Sequence, residues 1–325
     1  MQFEVRRETW PLARTFRISR GARTEAVVVV AAITEGGVTG LGECVPYAHY
    51  GETVEGVMAD IEGLRGDLTN GLDRAALQQR LPAGAARNAV DCALWDLEAK
   101  RSGRRAWQIA GIPEPRKIVT VETVSLDEVD AMRESARKIS HKPVLKMKLA
   151  HEDALARIRA VHDGAPNSRI IVDANEGLDL PTLEAIAPEL KALNVALLEQ
   201  PLPAGQDGPL DGFQCAVPLC ADESCHVTDD LPSLAGKYGY VNIKIDKTGG
   251  LTEALRLAAA AKAAGFGIMV GCMMGTSLGM APAALVAQAA EFVDLDGPLW
   301  MARDREPGLV YENEFVYPPG ADFWG

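Results

Sequence analysis

Val144-Leu145-Lys146-Met147-Lys148-Leu149 is a short apolar run that carries two lysines at alternate positions. The run has the length and composition of a buried β-strand, and the period-two geometry of a strand places both ammonium groups on one face. Lysine is rarely buried without a partner, so an inward-facing pair requires nearby carboxylates, a metal site or a reaction that uses a lysine of lowered pKa. An edge strand with a solvated lysine face explains this segment equally well.

Similar short runs recur along the second part of the chain, with helix-sized segments between them. The strand candidates are residues 118–124, 144–149, 169–175, 196–201, 218–223, 240–246, 267–272 and 292–296. Strands that alternate with helices indicate an α/β fold with a closed parallel (β/α) barrel over residues 116–299. An open doubly wound sheet is less favoured, because no glycine-rich G-x-G-x-x-G turn follows the first run.

Residues 1–115 follow a different pattern, with strands first and helices afterwards. Three strands are predicted at Phe3–Glu8, Ala26–Ile33 and Val38–Glu43, the last two joined by a glycine turn. Three helices are predicted at residues 53–68, 73–80 and 85–101. This order is typical of an α+β module. After Trp300 the pattern is lost, and we expect residues 300–325 to return to this N-terminal module.

Composition excludes some classes of partner. The formal net charge of -12 argues against binding to nucleic acid or to an anionic membrane surface, both of which favour clustered Lys and Arg. The longest obvious apolar run, Ala26 to Ile33, is too short to cross a bilayer, and Met1–Glu8 has no apolar signal segment. We therefore expect a cytoplasmic location. The six cysteines form no CxxC pair, which favours reduced thiols.

Charged residues stand at the ends of successive strand candidates. Asp173, Glu199 and Asp222 follow one another at near-equal intervals, each matching one βα unit, and Lys244 follows at the same interval. In a barrel this spacing places all four residues at the carboxyl-terminal mouth, where catalytic residues lie. The alternative is that each acid caps a helix or pairs with a lysine.

Three carboxylates that converge on one point repel one another unless a cation lies between them. Their oxygens are hard donors, and no Cys or His stands at the matching positions, so the set favours Mg²⁺ over Zn²⁺. A dication flanked by lysines can bind a substrate carboxylate and stabilise the charge left when an α-proton departs. The pattern therefore predicts proton abstraction next to a carboxylate.

The motifs resemble those of a known family. The order Lys-x-Lys, Asp-Ala-Asn, Glu-Gln-Pro, Asp-Glu-Ser and Asn-Ile-Lys, followed by Thr248-Gly249-Gly250, is similar to the muconate lactonizing enzyme subgroup of the enolase superfamily. Residues 84–89 and Asp294-Leu295-Asp296 are similar to the dipeptide epimerases within it. The resemblance covers the whole chain. It implies a modified TIM-type (β/α)7β barrel, with an N-terminal α+β capping domain that the C-terminal tail completes.

The resemblance also implies roles for individual residues. Asp173, Glu199 and Asp222 would bind one Mg²⁺ ion, Lys148 and Lys244 would be the acid/base catalysts, and Lys146 would act electrostatically. The enzyme would be an isomerase of the racemase and epimerase type. Its expected substrate is a dipeptide, L-Ala-D-Glu converted to L-Ala-L-Glu, in cell-wall peptide metabolism. The oligomeric state stays open, with a homo-oligomer among the alternatives.

Two pairs of residues are candidates for substrate binding. Asp294 and Asp296 stand two residues apart on the last strand candidate, so both carboxylates face the pocket and favour a cationic ligand. The resemblance assigns them the dipeptide ammonium group. The alternative is a simple turn at Asp296-Gly297-Pro298, with Asp294 paired to an arginine. The loops around residues 19–23 and 46–51 match the specificity loops of this family, so the resemblance implies that Arg20 or Arg23 binds the glutamate side chain. The alternative is a basic loop that is only solvated.

Two other functions compete with this interpretation. The first is a lyase or cycloisomerase of the same subgroup, similar to o-succinylbenzoate synthase, which would use the same lysines and metal. It is less favoured because its substrate has no ammonium group for Asp294 and Asp296. The second is a non-catalytic metal-binding barrel, which would have no use for lysines on both sides of the carboxylates.

Overall fold

The first part of the chain is an antiparallel sheet covered by helices. In the computed structural model, which describes residues 1–325, the sheet has the order β1-β2-β3. Its strands are β1 Gln2–Ile18, β2 Gly21–Glu35 and β3 Val38–Cys44. The helices that follow are α1 Val54–Gly63, α2 Arg65–Thr69, α3 Arg74–Arg80, α4 Ala85–Ser102 and α5 Ala106–Ala110. The predicted strand meander and the helices after it are confirmed, with one predicted helix divided at Leu64.

The hairpin of β1 and β2 is longer than the sequence indicates. Pairing continues to Pro11↔Glu25, shifts in register, and resumes at Phe16↔Arg23. The register shift explains why simple alternation was not visible there, because an irregularity moves side chains to the other face. As a result the hairpin tip, which carries Arg20, reaches the loops of the barrel.

Helix α4 lies directly on β3. A Cβ added at Gly40 would lie 2.2 Å from the Ala93 carbonyl oxygen, and one at Gly42 would lie 2.0 Å from the Ala89 carbonyl oxygen. Only glycine permits this close approach of helix and strand backbones. The helix ends at Gly103, whose φ of 66° is the left-handed conformation expected at a helix C-cap.

Strand β4 (Ile118–Val119) leads into a barrel of parallel strands. In barrel order the strands are β5 Glu122–Val124, β6 Val144–Lys148, β7 Arg169–Asp173, β8 Val195–Glu199, β9 Leu219–Ala221, β10 Tyr240–Ile243, β11 Gly267–Val270 and β12 Phe292–Val293. The Val121 N–H donates to the Val293 carbonyl oxygen at 2.9 Å, which closes the barrel between its first and last strands.

Helices connect most of the barrel strands. They are α6 Val129–Lys138, α7 Ala154–Gly164, α8 Leu180–Ile186, α9 Leu231–Leu234, α10 Ile245–Thr248, α11 Leu251–Ala263 and α12 Ser277–Val286. Between β8 and β9 only a 3-10 turn at Gly208–Leu210 occurs. Eight parallel strands, with no helix after the last, confirm the modified barrel and exclude the open sheet.

Three strand predictions need correction. In the run 240–246 the strand ends at Ile243, because helix α10 begins at Ile245. The run 118–124 is two strands, because β4 pairs with the tail hairpin of β13 (Tyr311–Glu312) and β14 (Phe315–Val316) instead of the barrel. The last strand ends at Val293, so Asp294 and Asp296 follow it and are not part of it. The end of the tail bonds to the N-terminal module, since the Trp324 indole N–H donates to the Leu41 carbonyl oxygen at 3.0 Å.

An apolar layer fills the barrel below its mouth. It consists of Val121, Ile171, Leu197, Cys220, Met269 and Phe292. Ile171, Leu197 and Cys220 each precede one of the three predicted acids by two residues, so strand geometry puts each acid above an apolar neighbour on the inward face. The polar side chains are therefore confined to the open end. None of the helices combines the length and apolar character that a membrane crossing requires.

Candidate active site at the mouth of the barrel

The lysine pair of β6 points into the barrel. Strand β6 is paired on both sides, with β5 and β7, so the edge-strand interpretation is wrong. Lys146 is 1% exposed and Lys148 is 8% exposed. In the strand register Lys148 pairs with Asp173, and Asp173 pairs with Glu199. The register therefore places these three residues side by side on adjacent strands. The predicted equal height holds for Asp173 and Glu199, whereas Glu199 pairs with Cys220, two residues before Asp222.

Lysines and acids form a dense ionic cluster. Lys148 Nζ lies 2.6 Å from Asp173 Oδ2, and Lys244 Nζ lies 2.6 Å from Asp222 Oδ2. Lys146 Nζ lies 3.0 Å from Asp173 Oδ2 and 2.8 Å from Glu199 Oε2. Each of the three acids is therefore paired with a lysine, as one of the alternatives from the sequence predicts.

Each of the three acids has one oxygen held by a fixed donor away from the cluster centre. The Asn175 N–H donates to Asp173 Oδ1 at 2.9 Å, and the Asn242 amide donates to Glu199 Oε1 at 2.7 Å. Lys247 Nζ donates to Asp222 Oδ1 at 2.7 Å. The second oxygen of each acid meets only the ammonium groups of Lys146, Lys148 or Lys244. Three oriented, hard oxygen donors fit a hard cation such as Mg²⁺.

Burial and charge shift the pKa values in this cluster. Burial, together with the charge of Asp173, raises the pKa of Glu199 to about 7. Burial also opposes the charge of Lys146, but Asp173, Asp294 and Glu199 around it hold its pKa well above the ordinary value. The surrounding carboxylates therefore favour the charged form of Lys146.

Lys148 and Lys244 approach the mouth from opposite sides. Lys148 lies on β6 and Lys244 directly follows β10, and three strands, β7, β8 and β9, separate β6 from β10 in the barrel order. Half the circumference of an eight-stranded barrel therefore lies between them. The strands between them carry the three acids, so the site has an ammonium group on each side of a carboxylate cluster.

Asp294 and Asp296 both line the same pocket although they lie beyond the last strand. Asp294 Oδ2 accepts from Lys146 Nζ at 2.7 Å, and Asp296 Oδ2 accepts from the Thr123 N–H at 2.8 Å. A 3-10 turn does follow, at Gly297–Trp300, but Asp294 pairs with a lysine and not with an arginine. Burial and the charge of Asp294 raise the pKa of Asp296 to about 7.

The two candidate arginines differ in their surroundings. Arg20 pairs with Glu223 at 2.8 Å and with Glu176 at 3.0 Å, and it donates to the Tyr47 hydroxyl at 3.1 Å. Arg23 lines the pocket, is exposed, and makes no ion pair, with its guanidinium 5.4 Å from the centre of the Tyr47 ring. Arg20 therefore connects the hairpin tip to the barrel, whereas the charge of Arg23 is available to a ligand.

Several residues of the site were not identified from the sequence. Lys247 is 1% exposed and contacts Asp222, and its position three residues after Lys244 was the signal that could have identified it. Glu223 follows Asp222 directly, and its Oε2 is buried without a hydrogen-bond partner. Tyr50 and Cys272 also line the pocket. Tyr50 belongs to the loop 46–51, which the resemblance marks as a specificity loop, whereas no local pattern indicates the proximity of Cys272.

Comparison with known proteins matches both parts of the chain to one family. Residues 1–111 match the mandelate racemase/muconate lactonizing enzyme N-terminal domain, and residues 128–321 match the enolase C-terminal domain-like family. L-Ala-D/L-Glu epimerase of Escherichia coli (strain K12) is 46% identical over 95% of this chain and 97% of its own length. N-acetyl-D-glutamate racemase of Pseudoalteromonas sp. is also 46% identical, over 92% and 95%. Both relatives are isomerases.

Solved structures with similar folds contain metal ions and dipeptides. An enolase family member from Agrobacterium tumefaciens, with homology to dipeptide epimerases, contains sodium and L-Ala-L-Glu; its TM-score is 0.97, with 52% identity over 99% of each chain. Dipeptide epimerase from Methylococcus capsulatus, complexed with Mg and L-Arg-D-Lys, has a TM-score of 0.90, with 32% identity over 98% of this chain and 96% of its own.

Proposed function

Because this chain belongs to the mandelate racemase/muconate lactonizing enzyme family of the enolase superfamily, we propose that it is a Mg²⁺-dependent dipeptide epimerase. It inverts the α-carbon of the C-terminal residue, converting L-Ala-D-Glu to L-Ala-L-Glu. The observation that carries this proposal is the position of Lys148 and Lys244 on opposite sides of three converging acids.

Inversion requires one proton donor and one acceptor on opposite faces of the α-carbon. A neutral lysine on one side removes the α-proton, and the ammonium group on the other side delivers a proton to the opposite face. Reversal of the two roles accounts for the reverse reaction. Lys146, whose charged form the surrounding carboxylates favour, would supply positive charge where negative charge develops on the substrate.

Asp173, Glu199 and Asp222 would hold the Mg²⁺ ion through the oxygens that face the cluster centre. A hard dication there would bind the substrate α-carboxylate and spread the charge that appears when the α-proton leaves. Asn175, Asn242 and Lys247 keep the three carboxylates oriented for that purpose.

Substrate identity depends on the two ends of the pocket. We propose that Asp294 and Asp296 bind the ammonium group of the first residue, because their carboxylates are buried and line the pocket. Arg23 binds the side-chain carboxylate of glutamate, since its guanidinium makes no ion pair within the protein. Arg20 instead fixes the hairpin tip against Glu176 and Glu223. These assignments favour a dipeptide over the anionic substrates of lyases in the same subgroup.

The remaining assignments are also proposals. Residues 1–115 and 300–325 form the capping domain and residues 116–299 the catalytic barrel, supported by the hydrogen bonds of Trp324 and Gly325 to Leu41 and Asp96. We place the reaction in the cytoplasm, in recycling of cell-wall peptides, on the basis of the proposed substrate.

A substrate screen in D₂O tests the function. The protein is incubated with Mg²⁺ and a library of dipeptides, and deuterium at the α-carbon is measured by mass spectrometry. N-acetyl-D-glutamate and o-succinylbenzoate precursors are included as separate samples. We expect deuterium and epimerisation with L-Ala-D-Glu above all. Turnover of N-acetylglutamate alone would show an activity like that of the N-acetyl-D-glutamate racemase, and dehydration of the o-succinylbenzoate precursor alone would show a lyase.

A further inference from the structure

The capping helix α4 makes unusual contacts with the barrel segment that carries Lys244. Arg87 of this helix is 7% exposed and has no carboxylate within ion-pair distance. Its donors are used on backbone carbonyls: Nη2 donates to Thr248 O at 2.7 Å and Nε to Gly249 O at 3.2 Å. A buried guanidinium without an acid partner is costly, so these contacts call for an explanation.

The carbonyls that Arg87 binds belong to the end of α10, the one-turn helix that begins after Lys244. The Thr248 N–H and the Lys247 N–H both donate to the Lys244 carbonyl oxygen at 3.0 Å. Arg87 is therefore two hydrogen bonds away from the Lys244 backbone. Cationic side chains stabilise the carbonyl end of a helix, and here the cation comes from the other part of the molecule.

Neighbouring residues of α4 contact the same segment. The Asn88 amide donates to Asp246 Oδ1 at 2.9 Å, and that oxygen also accepts from the Val45 N–H at 2.9 Å. Asp91 accepts from the Thr252 N–H at 2.9 Å and from the Thr252 hydroxyl at 2.6 Å. One face of the helix thus holds the segment from Asp246 to Thr252.

The glycines of the segment permit this contact. Gly249 has a φ of 71° and Gly250 a φ of 112°, conformations that other residues rarely adopt. A Cβ on Gly249 would lie 2.5 Å from Arg87 Nε, and one on Gly250 would lie 2.5 Å from Asp91 Cβ. The barrel segment and the helix are therefore fitted to each other at backbone distance.

We propose that Arg87 is a positioning residue for Lys244: the capping helix fixes the backbone that carries one of the two acid/base lysines, and has no such contact with Lys148. This inference rests on the proposed two-lysine function. It gives the capping domain a role in the chemical step on one face of the substrate, beyond closing the pocket. Displacement of a catalytic group by about 1 Å can lower turnover by on the order of 10²-fold.

The test compares proton exchange on the two faces of the substrate α-carbon, one served by Lys148 and the other by Lys244. In Arg87→Lys we expect kcat for epimerisation to fall by on the order of 10²-fold with KM unchanged. Exchange of the α-proton with D₂O should persist for the epimer that Lys148 deprotonates and be lost for the other. Gly249→Ala tests the same contact from the barrel side and should give the same asymmetry. Arg101→Met, an exposed change on the same helix, is the matched control.

A purely structural role would lower exchange of both epimers equally, and that result, or unchanged kinetics, would overturn the proposal. A second measurement does not depend on the substrate: reaction of Lys244 and Lys148 with an amine-labelling reagent, read by peptide mass spectrometry. We expect Arg87→Lys to raise labelling of Lys244 and leave Lys148 unchanged. If the wild-type protein epimerises nothing, the proposed function fails, while equal labelling of Lys244 in both proteins would refute the positioning role.

Discussion

The Lys146 ammonium group lies 2.7 Å from Asp294 Oδ2, and the same nitrogen lies 2.8 Å from Glu199 Oε2. One buried cation thus joins the acids of the proposed metal site to the acids of the proposed ammonium site. Removal of charge from either group leaves Lys146 with fewer partners. The two halves of substrate recognition are therefore expected to respond to each other's mutations.

Asp294→Asn should weaken dipeptide binding selectively. A lost hydrogen bond to a charged group costs about 1.5–3 kcal/mol, so we expect KM for L-Ala-D-Glu to rise by about 10- to 100-fold. Any activity towards N-acetyl-D-glutamate should fall less, because that compound has no ammonium group and is affected only through the loss of the Asp294 contact with Lys146. Steady-state kinetics with both compounds check this, and equal losses would contradict the assignment of Asp294 to the ammonium group.

Asp296 should make dipeptide binding depend on pH. Its pKa is raised to about 7 by burial and by the charge of Asp294, so the carboxyl is mostly neutral below pH 7 and charged above it. We expect KM for the dipeptide to fall as pH rises through 7. In Asp294→Asn the neighbouring charge is absent, and the transition should move to lower pH. This transition is measured as KM for the dipeptide from about pH 5.5 to about pH 8.5. If an Asp296→Asn variant showed the same transition, Asp296 would not be its source.

Lys148→Ala and Lys244→Ala should each abolish epimerisation. General acid/base catalysis contributes about 10²- to 10⁴-fold, so we expect a loss of at least about 10²-fold in each variant. Each variant should still exchange the α-proton of one epimer with D₂O, and the two variants should act on opposite epimers. Lys138→Ala, an exposed change on α6, is the control. Full turnover by either variant would exclude the two-base mechanism.

The sequence was sufficient to predict the barrel and the acids because both depend on strict periodicity. Strand ends at near-equal intervals bring Asp173, Glu199 and Asp222 together once the strands are parallel and adjacent. The alternate lysines of β6 depend only on the two-residue period. The prediction of these positions therefore stays correct when a strand boundary is wrong by one or two residues.

The sequence was not sufficient where contacts come from irregular segments. The bulge in β1 hid the length of the hairpin that delivers Arg20 to Glu176 and Glu223. Which arginine remains available was not predictable, because it depends on ion pairs between residues more than 150 positions apart. The contact of Arg87 with α10 joins residues 84–89 to the segment Thr248-Gly249-Gly250, and no local sequence pattern indicates that these two motifs meet.

Arg23→Ala should remove the preference for an acidic side chain. We expect kcat/KM for L-Ala-D-Glu to fall by about 10- to 100-fold, the equivalent of about 1.5–3 kcal/mol for a hydrogen bond to a charged group, while L-Ala-D-Gln is little affected. The ratio of kcat/KM values for the two dipeptides is the measurement. Arg104→Ala, an exposed change away from the pocket, is the control. An unchanged ratio would show that another group binds the glutamate side chain.

Arg305→Met should destabilise the protein in a manner that depends on pH. Glu43 is 1% exposed, and Arg305 Nη2 lies 2.7 Å from its Oε2 and 2.6 Å from Oε2 of Glu8. Thr276, which follows the pocket-lining residues 272–274, donates both its N–H and its hydroxyl to Glu43. Loss of the arginine leaves a buried carboxylate unpaired, which costs about 3–5 kcal/mol.

Burial already raises the pKa of Glu43 against the opposing charge of Arg305, and without the arginine that pKa rises further. As pH rises above the ordinary carboxyl pKa, the unfolded chain releases the Glu43 proton while the folded variant retains it. The free energy of unfolding of the variant therefore falls as pH rises from the unfolded pKa of Glu43 to its raised folded pKa. Urea unfolding at about pH 5.5 and pH 8 should show the larger loss at the higher pH. Addition of Glu43→Gln to Arg305→Met should remove most of the pH dependence. If the double variant retained it, another buried acid would be responsible.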